Sequence, residues 1–282
     1  MPTTLVNRSG VTSKLAANLT LAQTPLELAR RAAILADPNI VSWLRADSLF
    51  QTSGGSAGWR DLVTDQLFEP NTGHWPTVQN IAAYDDQASL LFGSSSSASS
   101  AFTDAGANLF PDGNQSHSLI LVGRGSSGNN CLLISDGAPL SSATYINVEN
   151  GGNPAFYVDG QGMATGTALS YSTPHLFITS FEYNGGGGAQ QWAARIDQGA
   201  QTLSKTSGIT GVPQSSTLYI GGYSGSPCVG ADIAEVLVFK GSILHGSYLT
   251  NNITVTDPVS GTAYTYPLYE HIEAYIQARY GF

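Results

Sequence analysis

Charged residues are scarce in this chain: Asp, Glu, Lys and Arg together make up 11% of its 282 residues. Cations are scarcer still, with 11 Lys and Arg against 20 Asp and Glu, a formal net charge of -9, and no basic cluster larger than the Arg30-Arg31 pair. Neutralising a row of phosphates takes several cations in line, so nucleic acid is not expected as a partner. Cysteine is almost absent. Cys131 and Cys228 stand far apart without metal-ligand spacing, so they read as two buried thiols; a disulfide would need strand neighbours that spacing does not specify. No run approaches the roughly 20 apolar residues of a membrane-spanning helix. The opening MPTTLVNRSGVTSKLAANLTLAQ has no charged region followed by a long apolar run, so it does not read as a secretory signal: the chain is expected to be made and assembled in the cytoplasm, or to have been processed already.

What is plentiful points one way. Apolar residues make up 41% of the chain, enough for a substantial core. The 32 Gly and 13 Tyr, with abundant Ser and Thr, fit many short strands joined by tight turns. A helix signal comes first: in Thr24-Pro25-Leu26-Glu27 the Thr and Glu side chains can each cap the other's backbone, and Pro25 fills the first helical position. That predicts a helix over Pro25 to Leu35, stopped by Asp37-Pro38.

From Ile40 onward, strand-sized apolar runs alternate with Gly, Asn, Asp and Ser. About ten such runs in some 200 residues suit a two-sheet sandwich. In His175 to Tyr183, the odd positions put Phe177 and Phe181 on one side and the even ones put Leu176 and Ile178 on the other, which predicts a central strand covered on both faces. Trp192, Ala194 and Ile196 alternate with Gln191, Ala193 and Arg195, which reads as one core face and one solvent face. The Ser94 to Ser100 run is taken as a loop within the domain, Gly185 to Gly188 as a hairpin tip, and Tyr248 to Tyr266 as an extra hairpin or long loop. Leu268, Ile272, Tyr275 and Ile276 recur at helical spacing before Gly281, predicting a closing helix that packs one face on the sandwich.

Several segments carry a family likeness in the same order. Val41-Ser42-Trp43-Leu44-Arg45-Ala46-Asp47 is followed by Gly58-Trp59-Arg60-Asp61, and Ser89-Leu90-Leu91-Phe92-Gly93 precedes a Ser-rich stretch. Leu218-Tyr219-Ile220-Gly221-Gly222 leads to Gly230-Ala231-Asp232-Ile233-Ala234-Glu235-Val236-Leu237-Val238-Phe239, and Ile272-Glu273-Ala274-Tyr275-Ile276 to Arg279-Tyr280-Gly281. Over roughly residues 39 to 282 this order resembles the laminin-G-like branch of the concanavalin A-like jelly rolls, including those of bacteriophage and bacterial surface proteins. The resemblance implies an all-β, two-sheet antiparallel jelly-roll sandwich with a short N-terminal helix and a C-terminal helix. It leaves residues 1–38 outside as an N-terminal arm and helix before a jelly-roll domain at 39–282; the arm is either an anchoring segment ordered by neighbouring subunits or a segment docked on its own sandwich.

Chemistry has few candidates. Some jelly-roll relatives hydrolyse polysaccharides with paired carboxylates on one strand. Here the comparable residues are Asp232 and Glu235, three apart and so on opposite faces of an unbulged strand. No catalytic residue is therefore assigned, and Glu235 reads as a hydrogen-bonded structural carboxylate. The five histidines, His74, His117, His175, His245 and His271, show no zinc spacing, and no G-x-S-x-G elbow is present. No metal ligand is assigned, although the resemblance leaves calcium open at Asp85-Asp86, Asp136 and Asp159. A sugar site would use an aromatic platform with amide neighbours. The candidates are Tyr223, Trp192, Tyr157 and Asn147, with Trp75, Tyr145, Asn150 and Asp159 behind them.

The resulting expectation is a non-enzymatic bacteriophage virion protein, tail-associated or capsid-decorating, that displays its sandwich towards cell-surface glycan. Its partners would be other virion proteins, met through the N-terminal arm, and copies of itself in a homo-oligomer or larger assembly. The alternative is a stand-alone bacterial carbohydrate-binding or adhesion module, at the cell surface or secreted; a glycoside hydrolase ranks third.

Overall fold

Alternating apolar runs fold here as extended chain because branched and aromatic side chains pack well on a pleated sheet, and the Gly, Asp and Ser cuts between them supply the turns. A computed structural model describes residues 23–51, 57–70, 76–80, 82–92, 102–105, 116–125, 131–136, 144–148, 152–158, 161–164, 168–184, 190–199, 201–205, 217–223, 226–227 and 230–281, with 5–6 and 12–13. β1 (Leu5–Val6) and β2 (Thr12–Ser13) form a short antiparallel ladder. Helix α1 (Pro25–Leu35) begins as the sequence predicts. Glu27 N–H donates to Thr24 Oγ1 at 3.2 Å, Thr24 N–H donates to the Glu27 carboxylate at 2.7 Å, and the helix ends at Ala36 before Asp37-Pro38.

The sandwich follows. Its first part is β3 (Ile40–Gln51), β4 (Ala57–Asp61), β5 (Leu67–Pro70), β6 (Thr77–Asn80), β7 (Ala88–Leu91), β8 (Phe102–Ala105) and β9 (His117–Arg124). Next come β10 (Cys131–Asp136), β11 (Thr144–Val148), β12 (Pro154–Val158), β13 (Gln161–Ala164), β14 (His175–Glu182), β15 (Gln191–Ile196) and β16 (Gln201–Lys205). It closes with β17 (Thr217–Ile220), the short pair β18 (Gly222–Tyr223) and β19 (Ser226–Pro227), and β20 (Asp232–Lys240). One sheet runs β4-β3-β20-β9-β14-β15-β16, with β7 and β6 added along the start of β20. The other runs β13-β12-β11-β10-β17-β8-β5, and β5 also pairs with β4, so the chain passes continuously between them. The ladders are antiparallel. This is the two-sheet jelly-roll sandwich that the sequence predicts.

The inter-sheet core holds Leu44, Trp59, Phe68, Phe92, Phe177, Phe181 and Trp192, all essentially inaccessible to solvent. A second core lies on the far side of the first sheet. There Trp43, Ile120, Val122, Leu237 and Phe239 pack against Ile34 of α1 and against Ile272, Tyr275 and Ile276 of α3 (Leu268–Tyr280). The first sheet is therefore the middle of three layers. β14 behaves as expected, with Phe177 and Phe181 in one core and Leu176 and Ile178 in the other. β15 departs from expectation. Its Gln191, Ala193 and Arg195 side is not a solvent face, because α3 lies over it: Ala193 joins the second core and Arg195 donates twice to Glu273, at 3.0 and 3.2 Å.

The Tyr248 to Tyr266 region is a hairpin of β21 (Asn252–Thr256) and β22 (Ala263–Pro267), preceded by a single turn of helix, α2 (Ser247–Thr250). Gly281, at φ 75°, closes α3 in the left-handed conformation that glycine tolerates. β14 and β15 form the expected hairpin, though residues 185–189 at its tip lie outside the described residues, as does the Ser94 to Ser100 run. The motif at Trp59 and Asp61 has a local cause: Asp61 Oδ1 accepts from the backbone N–H groups of Trp43 and Val63 at 3.0 and 2.8 Å, tying β3 to the turn after β4.

Candidate functional site

The helical layer covers the outer face of the first sheet, and no described helix packs on the outer face of the second. The composition of that second face follows from register. Ile134 pairs with Ile146 and Ile220, and Ile146 with Phe156. All four are fully buried in the inter-sheet core. Successive strand residues alternate between faces, so Tyr219 beside Ile220 and Asn147 beside Ile146 lie on the outer face. In the ladder Tyr219 belongs to the row Tyr157–Tyr145–Ser135–Tyr219, across β12, β11, β10 and β17; the side chains of Tyr157, Tyr145 and Ser135 lie outside the described residues. It continues to Gly162 on one side and Thr103 on the other. At about 4.8 Å between strands, Tyr157 and Tyr219 stand roughly 15 Å apart along it. Asn147 occupies the next outer position of β11, opposite Leu132 and Ala155, and both Asn147 and Tyr219 are half-buried.

The sequence-predicted sugar-site residues thus separate. Tyr157 and Tyr145 are paired in the ladder of the second sheet, and Asn147 lies on its outer face. Tyr223 belongs to the β18–β19 pair, opposite Ser226. Trp192 is corrected: it is fully buried in the inter-sheet core and its Nε1–H donates to Thr179 Oγ1 at 2.7 Å, so it offers no face to a ligand. Trp75, Asn150 and Asp159 lie outside the described residues. Tyr219 and Ser135 complete the row without having been singled out from sequence. Their signal was the alternation itself, since Ile220 and Ile134 beside them are core residues.

The two carboxylates examined for catalysis need a second correction. On β20, Asp232 pairs with Arg124 and Glu235 with Val122, with a register shift between Ile233 and Glu235. Arg124 and Val122 share a face of β9, so the bulge brings Asp232 and Glu235 to the same face, the one under the helices. Gly123 marks the spot: a Cβ there would stand 2.7 Å from the Asp232 carbonyl oxygen, so only glycine lets the bulged strand approach.

Sharing a face does not make them a reactive pair. Both are fully buried. Asp232 accepts from Gln79 Nε2 and Arg124 Nε, one on each oxygen. Burial pushes its carboxyl above the usual range, against the opposing pull of the Arg124 and Gln79 bonds. Glu235 accepts from Trp43 Nε1 and, at 2.6 Å, from the Tyr280 hydroxyl of α3. Each carboxylate oxygen is already engaged by protein.

Of the carboxylates considered for calcium, Asp159 and the side chain of Asp136 lie outside the described residues. Asp85 and Asp86 form an exposed turn with φ 51° and 57°, and no group of three His, Cys, Asp or Glu suited to a metal occurs among the described residues. No described helix is long and apolar enough to cross a membrane. The side chains of Cys131 and Cys228 lie outside the described residues.

No protein-family model and no curated protein matches the chain. Solved structures do match. Trypanosoma rangeli sialidase aligns with a TM-score of 0.52 at 12% identity, over 74% of this chain and 31% of that one. The binding domain of botulinum neurotoxin serotype G aligns at 0.49 and 11% identity, over 72% and 48% of the two chains. A botulinum neurotoxin type C structure, from work on cell entry dependent on two ganglioside molecules, gives 0.49 at 12% identity over 75% and 50%. The chain spans about a third of the sialidase and half of the toxin chains. At these identities the sialidase likeness shows the β-sandwich fold alone.

Proposed function

We propose that this protein is a non-catalytic glycan-binding sandwich of a bacteriophage virion, with the outer face of its second sheet as the binding surface. The observation that carries the reading is the cross-strand row Tyr157–Tyr145–Ser135–Tyr219, with Asn147 beside it. Tyrosine offers an apolar ring to a sugar face and a hydroxyl to its edge, and an amide supplies both donor and acceptor. A row about 15 Å long suits a short oligosaccharide rather than a single ring. The absence of catalysis is supported by the engagement of Asp232 and Glu235 with protein partners beneath the helical layer.

Attachment to other virion proteins and to further copies of the chain is assigned to residues 1–22. Helix α1 is already committed to the sandwich, through Ile34 in the second core and the Arg30 Nη1 bond to the Ala274 carbonyl. That docking also favours the second reading, a stand-alone bacterial adhesion module. Light scattering on the purified chain separates the two: an oligomer supports the virion component, and a monomer supports the stand-alone module. The binding surface is tested on a glycan array. A defined glycan should bind, and Tyr145→Ala and Tyr219→Ala should each weaken it at least tenfold while circular dichroism stays unchanged. An array without any bound glycan, or variants that bind like the parent, would overturn the assignment.

A further inference from the structure

Beneath the helical layer lies a charged group with more hydrogen-bond donors than acceptors. Arg45 and Asp47 come from β3, Glu235 from β20, Arg31 from α1 and Arg279 from α3. Arg45 and Arg279 both donate to Asp47 Oδ2, Arg279 at 2.8 Å, and Arg279 Nε lies 3.8 Å from Glu235 Oε2. Arg31 is close enough to feel Arg45, Asp47 and Glu235 electrostatically, as well as the Tyr275 hydroxyl. Arg45 and Arg279 are 4% and 3% exposed and are balanced by Asp47 and Glu235, beyond the reach of bulk water. Arg31 is half-buried and brings a third positive charge to the edge of the group, one helical turn after the buried Glu27 of α1.

Several donors in the same group lack an acceptor. Arg31 Nε, Arg45 Nε, Arg279 Nε, Arg279 Nη1 and Tyr275 Oη are all buried without a hydrogen-bond partner among the described residues. Tyr275 lies one helical turn before Arg279, so both project from one face of α3. Residues 1–22 carry neither Asp nor Glu. Burial and the neighbouring Glu235 push the Tyr275 phenol well above its usual range, so it does not ionise near neutral pH, and guanidinium does not give up its proton in proteins. A buried water accepts only two hydrogen bonds and carries no charge. A monovalent anion accepts from several donors and offsets the third positive charge as well.

We propose that the Arg31, Arg45, Arg279 and Tyr275 side chains form a buried structural site for a small monatomic anion of the chloride class. Arg31 Nε, Arg45 Nε, Arg279 Nε, Arg279 Nη1 and Tyr275 Oη are buried although the rest of Arg31 is half-exposed, which favours a small ion over sulfate or phosphate. The site stabilises the docking of both helices on the sandwich and is independent of the glycan surface on the opposite sheet.

Two measurements on the full chain test this. Crystals soaked in sodium bromide should show an anomalous peak among these four residues; an ordered water there, or no feature, overturns the proposal. In solution at constant ionic strength, exchanging gluconate for chloride should raise Tm saturably by about 2–4 °C, and exchanging it for sulfate should not. Arg31→Leu removes one donor and the third positive charge, so its Tm should lose the chloride response while the protein remains folded in gluconate. An equal chloride response in parent and variant would place the effect elsewhere and overturn the assignment.

Discussion

Tyr280, in the last turn of the closing helix, donates its hydroxyl to Glu235 at 2.6 Å, joining α3 to the central strand of the first sheet. The other oxygen of Glu235 accepts from Trp43 Nε1, so one carboxylate links β3, β20 and α3. Tyr280→Phe leaves that oxygen short of a donor inside a dry layer, and should cost about 1–2 kcal/mol in urea unfolding. Glu235→Ala removes the partner of both donors and leaves a positive excess around Arg45 and Arg279, so about 3–5 kcal/mol is expected. A loss below 1 kcal/mol for the alanine variant would mean that the carboxylate is not a structural link.

Gly221 is required by Phe92. It follows Ile220 at φ 74°, and a Cβ placed there would stand 2.1 Å from the Phe92 ring. Gly221→Ala should therefore destabilise the protein by about 1–3 kcal/mol, through both the backbone conformation and the clash. Phe92→Ala makes a cavity by itself, but it also clears the space that the new methyl needs. The double variant should be less destabilised than the sum of the singles, as a thermodynamic cycle of denaturation midpoints would measure. Strict additivity would show that the ring does not set the requirement for glycine.

The strands and both terminal helices were legible because their signals are local: alternation within a run, the Thr24 and Glu27 caps, Gly281 after α3. Features that depend on which strand lies beside which were not. Arg195 alternates like a solvent-facing residue, yet Glu273, 78 positions away, covers it from α3. The bulge that turns Asp232 and Glu235 to one face depends on pairing with Gly123 and Val122 of β9. Tyr157 and Asn147 could be proposed as sugar contacts from residue type alone. Their alignment with Tyr145 and Tyr219 needs the register of four strands, which no single segment specifies.

Trp192 illustrates the same limit and carries a prediction. An indole among small and polar residues looks like a platform, but β15 turns it inward, where Thr179 satisfies its N–H. Trp192→Ala should destabilise the sandwich by about 3–5 kcal/mol, measured by thermal or denaturant unfolding. Trp192→Phe keeps most of the packing and leaves only the Thr179 hydroxyl without its donor, so it should cost less and bind glycan as the parent does. Lost binding in a stable Trp192→Phe protein would return this residue to the ligand site.

His271 gives the fold a pH dependence whose sign can be worked out. Its Nε2–H donates to the Ile253 carbonyl at 2.9 Å, joining α3 to the β21–β22 hairpin, while its Nδ1 is buried without a partner. Burial, assisted by the charge of Arg30, pulls the imidazole below its usual range, though the Ile253 bond opposes this. The unfolded chain therefore binds the proton more readily than the folded one. Stability is fully present above the ordinary histidine value, about 6.5, and falls as the pH drops from there towards the lowered folded value. His245 shifts in the same direction through burial, so the wild-type curve contains both groups. His271→Gln keeps a side-chain N–H for Ile253 but cannot charge. Between pH 7 and 5 its denaturation midpoint should fall less than that of the parent, and parallel curves would mean that His271 keeps the same proton affinity in the folded and unfolded chain.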